Sequence, residues 1–291
     1  MTYTIKAPAK INLGLDVLRR REDGYHDLKM IMQTVALFDT LTFEINDGEG
    51  ITLTCNNSEL PVDDNNLVVK AVRMLADEFD IKKSFSIHLK KHIPVAAGMA
   101  GGSTDAAAAF IAVNDIFSLG LTKEQLMKRA VKLGADIPYC IMQGTALSEG
   151  IGDILTPLKP LDNVTVLIAK PPIGVSTGFV YTNLKLTPEV THPDIDGIIN
   201  AMSNNDLPRW TGLLENILET VTIPAYPVID DIKQTMLSNG ALGSLMSGSG
   251  PTVFGIFDNA SNAKKAKEAC DAICNGMFTE ITEFYTPECC Q

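Results

Sequence analysis

Residues 94–110 read PVAAGMAGGSTDAAAAF, and this segment limits what the chain can become more than any other. The stretch before it, 85–89, reads as a strand, while the alanines at 106–109 open a run that is nearly apolar all round. A helix without a polar face belongs inside a protein, so a buried helix is expected over 103–117. Gly98, Gly101 and Gly102 stand at its start, where the first N–H groups lack intrahelical partners and the aligned peptide dipoles favour an anion. Glycine also removes the side chains that would keep phosphate oxygens away from the backbone. Ser103 and Thr104 add hydroxyls that can donate to a phosphate or help position Mg2+. No Gly-Lys-Ser/Thr follows, so this is not a Walker A loop, and the glycine spacing is not that of a dinucleotide fingerprint. Gly98, Gly101, Gly102, Ser103 and Thr104 therefore mark a candidate phosphate cradle of another type, within the segment Pro94, Val95, Ala96, Ala97, Gly98, Met99, Ala100, Gly101, Gly102, Ser103 and Thr104 whose full extent as a binding loop rests on the resemblance given below. Tight packing of a helix against a sheet is the competing reading of the same glycines.

Near the N-terminus, Ile11, Leu13, Leu15 and Val17 alternate with Lys10, Asn12, Gly14 and Asp16. A period of two is a strand with one wet face, which sets Lys10 and Asn12 side by side, away from the core. RRREDG at 19–24 is the turn after it, and Tyr25 and His26 follow directly. Strands are also expected at 40–45, 51–55, 164–169, 252–257 and 278–284. Helices are expected where Leu67, Ala71, Leu75 and Phe79 recur, with Asp63 and Asp64 as caps, and after Thr122, whose capping box closes on Gln125. Further helices are read at 194–202, 207–218, 228–237 and 259–274. A second Gly/Ser cluster, GSLMSGSG at 243–250, can clamp the same phosphates or serve as a plain connecting turn. KPLDN at 159–163 marks a break, which divides the chain into domains 1–157 and 158–291 of α+β type.

A chain of 291 residues with 45% hydrophobic and 20% charged residues has the makings of ordinary globular domains. Its net charge of -11 opposes extended contact with nucleic acid or an anionic membrane, but not a small phosphorylated ligand held by local amides. Arg19, Arg20 and Arg21 run straight into Glu22 and Asp23, which reads as a solvated turn. No long apolar run and no basic-then-apolar leader is present, so a cytoplasmic protein is expected, with no membrane span. The 6 cysteines then read as reduced thiols, Cys289 and Cys290 as part of an exposed tail. His88, His92, His192 and the Cys270/Cys274 pair lack the spacing of a zinc site.

Three ordered segments carry a resemblance: PAKINLGL at the start, PVAAGMAGGSTDAAA in the middle and LMSGSGPTVFGIF near the end. Together they resemble the GHMP small-molecule kinases. The resemblance implies a ribosomal-protein-S5-domain-2-like N-terminal domain and a ferredoxin-like C-terminal domain. It further implies ATP as phosphoryl donor with Mg2+, a small-molecule alcohol as acceptor, and Lys10 and Asp136 as the catalytic pair. REDGYH at 21–26, DNNLVVKA at 64–71 and LGADIPYCIMQGTALSEGIGD at 133–153 narrow the likeness to members whose acceptor carries cytidine. On that likeness Asn66 joins the loop 94–104 in binding ATP, Asn12 holds the acceptor's alcohol portion, and Tyr25, His26 and Tyr181 engage the cytosine. Met99 and Thr104 stand where leucine and serine are commonest, and Asn65 where an acidic residue is frequent.

The chemistry suits those residues. An aspartate beside the acceptor hydroxyl can orient it and take its proton as the O–P bond forms. Asp136, set among apolar residues in LGADIP, is placed for more than surface polarity, although a turn or helix-capping aspartate is the plainer reading. Lys10 can keep a carboxylate ionised and meet developing phosphoryl charge. Tyr25 can stack on a pyrimidine and His26 can bond to its edge. Another alcohol acceptor, such as homoserine or mevalonate, and a non-catalytic nucleotide-binding protein on the same scaffold both stay open on sequence alone.

Overall fold

The computed structural model describes residues 1–161, 164–187 and 189–286. Asp162 and Asn163 of the expected linker, and the Cys289/Cys290 pair, lie outside them. The chain forms two compact units that interleave: residues 1–9, 37–95 and 100–142 make the first, and residues 10–36, 96–99 and 143 onward the second. The sequence reading divides the chain once, at 157–158, whereas these units exchange chain several times. Two long strands, β1 (Thr2–Arg20) and β2 (His26–Asn46), contribute to both.

In the first unit β2 pairs antiparallel with β4 (Ser84–Lys90), and β3 (Gly50–Cys55) lies parallel to β4 on its other side. A parallel neighbour requires a crossover, and α1 (Leu67–Glu78) supplies it. Its cap is Asn66, whose side chain accepts the Val68 N–H at 2.9 Å. The expected caps are displaced because Asp63 instead accepts the Asn65 N–H, closing a turn just before. Next comes α2 (Gly101–Ile116), with Thr104 to Phe110, Ala112 and Val113 all buried. α3 (Lys123–Ala130) carries the Thr122/Gln125 capping box, and α4 (Ile137–Met142) packs with α3 against α2.

In the second unit β5 (Thr145–Gly150) pairs antiparallel with the first half of β2, and β6 (Ile154–Pro157) with β5. A separate antiparallel sheet has the order β10-β7-β9-β8, from β7 (Thr165–Lys170), β8 (Gly243–Met246), β9 (Val253–Phe257) and β10 (Phe278–Glu283). Its helices are α5 (Thr177–Asn183), α6 (Ile195–Ser203), α7 (Leu207–Gly212), α8 (Glu219–Ala225), α9 (Val228–Ser238) and α10 (Ala260–Asp271). The single helix expected over 207–218 ends at Gly212, because the Glu215 carbonyl and the Ile217 N–H are taken by the backbone of Leu15 at 3.0 Å each.

That same pairing overturns the wet face expected of β1. Lys10, Asn12 and Asp16 are 6, 0 and 3% exposed. The face is polar but covered: a Cβ on Gly14 would meet Ile195 and Ile198, and Met99 offers its carbonyl to the Lys10 N–H. Among the described residues no helix is long and apolar enough to cross a membrane.

Candidate active site

The loop ahead of α2 is wound tightly. Ala96, Gly98 and Ala100 have φ of 50, 70 and 57°, a left-handed region that costs an L residue roughly 1–2 kcal/mol. Such a winding turns successive N–H groups inward and makes an anion-binding concavity. Ala100 caps α2 without any side-chain hydrogen bond, so the first-turn N–H groups are left for a ligand.

In the first unit Gly102 is exposed, while a Cβ on Gly101 would press within 3.2 Å of Lys91 Nζ and 3.3 Å of Ile93 Cγ2. Ser103 is partly exposed, whereas Thr104 is buried and donates its hydroxyl to the Pro8 carbonyl at 2.7 Å. The Thr104 proton is therefore committed to holding β1, and only its oxygen lone pairs remain. Asp136 stands at the head of α4: its carbonyl accepts the Cys140 N–H at 3.1 Å, but among the described residues its carboxylate makes no hydrogen bond. A capping aspartate would spend that carboxylate on the helix. This one is uncommitted and partly exposed.

In the second unit the Lys10 ammonium donates to Asn12 Oδ1 at 2.8 Å, and the Asn12 amide reaches Met30 Sδ at 3.3 Å. Both side chains are thereby fixed. The two glycine clusters also meet here. Ser247 donates its hydroxyl to the Gly98 carbonyl at 2.9 Å, and a Cβ on Gly98 would collide with the Ser247 carbonyl oxygen. The turn 247–250 is locked from behind. Asn216 donates to the Met246 and Gly248 carbonyls at 2.8 Å each, and the Glu219 carboxylate takes the Met246 N–H at 2.8 Å and the Lys233 ammonium at 2.5 Å. Sequence reasoning passes over Asn216 and Glu219, which sit among Glu215 and Thr220 in the mixed segment 213–221 and carry no distinguishing signal there.

Also in this unit, Tyr25, His26, Thr177, Gly178 and Tyr181 line a cavity of about 620 Å³. The His26 and Tyr181 rings lie 5.0 Å apart and tilted by 36°, a pair already in contact, so a base would lie across them rather than between them. Tyr25 is 61% exposed and offers an open face. Burial, then the nearby Arg20 charge, lowers the His26 pKa, which keeps the imidazole neutral and able both to donate and to accept. Arg19 and Arg21 are occupied with Asp27 and Asp23 in the turn.

Among the described residues no group of three His, Cys, Asp or Glu side chains could hold a metal ion. Ser103, partly exposed at the start of α2, offers a hydroxyl oxygen of the hard kind that a magnesium ion accepts.

Two families match the chain: GHMP kinases N terminal domain over residues 66–144, and GHMP kinases C terminal over residues 186–276. A protein named 4-diphosphocytidyl-2-C-methyl-D-erythritol kinase in Lachnoclostridium phytofermentans is 50% identical over 97% of both chains. One of the same name in Lachnospira eligens is 48% identical, over 97% of this chain and 98% of its own. A crystal structure of 4-(cytidine 5'-diphospho)-2C-methyl-D-erythritol kinase superposes with a TM-score of 0.80 at 29% identity, covering 97% of this chain and 99% of the other.

Proposed function

This chain belongs to the GHMP kinases, and on that footing we propose that it transfers the γ-phosphoryl group of ATP to the 2-hydroxyl of 4-diphosphocytidyl-2-C-methyl-D-erythritol. The products are ADP and the 2-phosphate, a step of non-mevalonate isoprenoid biosynthesis. The acceptor is a small molecule, and neither nucleic acid nor membrane takes part. We place the reaction in the cytoplasm. The observation that carries the choice of acceptor is the Tyr25/His26/Tyr181 cavity, whose flat rings and neutral imidazole suit a pyrimidine with both donor and acceptor edges. A bare alcohol such as homoserine would make no use of it. The two family matches fall on either side of residue 157, which supports an N-terminal domain of 1–157 and a C-terminal domain of 158–291.

The roles follow from chemistry. Asp136 orients the acceptor hydroxyl and receives its proton; Lys10 meets the negative charge that develops on the transferring group. Asn12, held by Lys10 and Met30, is assigned to the erythritol portion on the family likeness, with one amide hydrogen and one oxygen lone pair left for that contact. The amides of 94–104 hold the donor's phosphates and Asn66 lies on the nucleotide side. When bound, Mg2+ neutralises phosphate charge. Transfer is direct, since the residues around the glycine loop include no activated nucleophile. Phosphorus NMR of the reaction mixture tests this reading: a new phosphomonoester signal should appear while the acceptor's own diphosphate pair persists. Splitting of that diphosphate, or an unchanged acceptor beside phosphorylated homoserine or mevalonate, would refute it.

A further inference from the structure

Three charged side chains lie beneath the start of α2 in the first unit and have no role in the chemistry above. The Lys91 ammonium, 6% exposed, bonds to Asp39 Oδ2 and, at 2.8 Å, to Asp105 Oδ2. Asp39 is fully buried and receives two further donors on Oδ1, the His92 N–H at 2.6 Å and the Ile93 N–H at 2.9 Å. Asp105 is 3% exposed and receives only Lys91; its Oδ1 is buried with no hydrogen-bond partner. One cation thus faces two carboxylates in the interior.

Two ionised carboxylates beside one ammonium would leave a net negative charge away from water, which is costly. A proton relieves most strain on the carboxylate with fewest donors, and that is Asp105. Burial, aided by Asp39 and opposed by Lys91, pushes Asp105 up to about 8. Burial opposes the Lys91 charge, yet the two carboxylates hold its pKa above the ordinary lysine value. Of the helices packed on α2, α1 turns Val68, Val69 and Val72 inward, α3 Leu126 and Ala130, and α4 Tyr139 and Cys140. Among the described residues the charges that bear on Asp105 are Lys91 and Asp39.

The anchor also has a place in the loop's geometry. Asp39 grips the backbone just ahead of Pro94, Asp105 sits one turn beyond Gly101, and Lys91 bridges them at the one spot where Gly101 leaves room. We propose that Asp105 is a positioning residue that holds a proton in the working protein, letting Lys91 tie both ends of the phosphate-binding loop 94–100 to a single buried anchor. Neutral Asp105 offers Lys91 a carbonyl-like acceptor, and Asp39 carries the counter-charge.

The role in ATP binding rests on the kinase reading, but the proton does not, so the two are tested apart. A group whose folded pKa exceeds its unfolded one loses its stabilising contribution as pH rises between the two, here from the ordinary 3.8 to about 8. Against Asp105→Asn, the melting temperature of the parent protein should fall progressively from pH 5 to 8, and the gap should stop growing above about 8. A gap independent of pH would overturn the buried proton, whatever the enzyme's substrate. In steady-state kinetics at pH 7, Asp105→Asn should keep the KM for ATP within about threefold, whereas Asp105→Ala should raise it about tenfold or more with the acceptor KM unmoved. The parent's kcat/KM for ATP should decline above pH 8, and the Asn variant's should not. Asn as damaging as Ala, or equal pH profiles, would overturn the positioning role.

Discussion

Asp136 and His26 carry the proposed roles that single substitutions test most directly. Asp136 begins a six-residue helix yet leaves its carboxylate uncommitted, so replacing it removes a proton acceptor without removing a cap. Asp136→Asn should lower kcat at least about 100-fold with the KM for ATP within about threefold. A rise in KM with kcat intact would make Asp136 a binding group instead. For His26 the sign follows from its environment: burial and Arg20 lower its pKa, so the neutral ring persists at and somewhat below the ordinary value of 6.5. Protonation on further acidification removes its acceptor nitrogen. The acceptor KM should therefore climb as pH falls through the acid side of 6.5, and the His26→Gln variant should lack that limb. A KM that improves in acid would contradict a neutral imidazole in the site.

Elements hold these groups in place through backbone contacts that tolerate little change. Gly98 combines φ of 70° with direct contact on the Ser247 carbonyl, so Gly98→Ala should cost affinity for ATP, read as a KM rise of about tenfold or more. Asn216→Ala leaves the Met246 and Gly248 carbonyls without their donor, a loss of about 1–3 kcal/mol in urea unfolding. An unchanged midpoint would mean that the turn 247–250 holds itself. Much at this scale was legible in the residues. The alanine run of α2, the Thr122 capping box and the apolar β9 each state their own structure by composition or spacing. What was not legible depends on partners far away in sequence. The polar face of β1 looks wet because alternation reports polarity and not cover; Ile195 and Ile198, about 180 positions on, pack against it at Gly14. α4 was missed because a six-residue helix with Pro138 in its first turn has too short a pattern to register. The sequence reading draws nothing from Asp39 and Asp105, because only the fold supplies their shared partner Lys91.

At the scale of the molecule, the residues given roles in the proposed reaction come in pieces from a chain that passes repeatedly between two units. Lys10, Asn12, Tyr25, His26 and Tyr181 come from one, and Asn66, Gly101, Gly102, Ser103, Thr104 and Asp136 from the other. The three motifs were readable because each is a local solution, one polar strand face and two glycine turns. The interleaving was not, since no composition break marks residues 9–10, 36–37 or 99–100. A net charge of -11 does not oppose a small phosphorylated ligand, which local amides can hold. The central claim is that this assembly phosphorylates a cytidine-bearing alcohol. Its most direct measurement is ADP release in a coupled assay, with 4-diphosphocytidyl-2-C-methyl-D-erythritol, homoserine and mevalonate offered separately. The account predicts turnover on the first exceeding that on the others by at least about 100-fold in kcat/KM; comparable or greater turnover on either plain alcohol would contradict it.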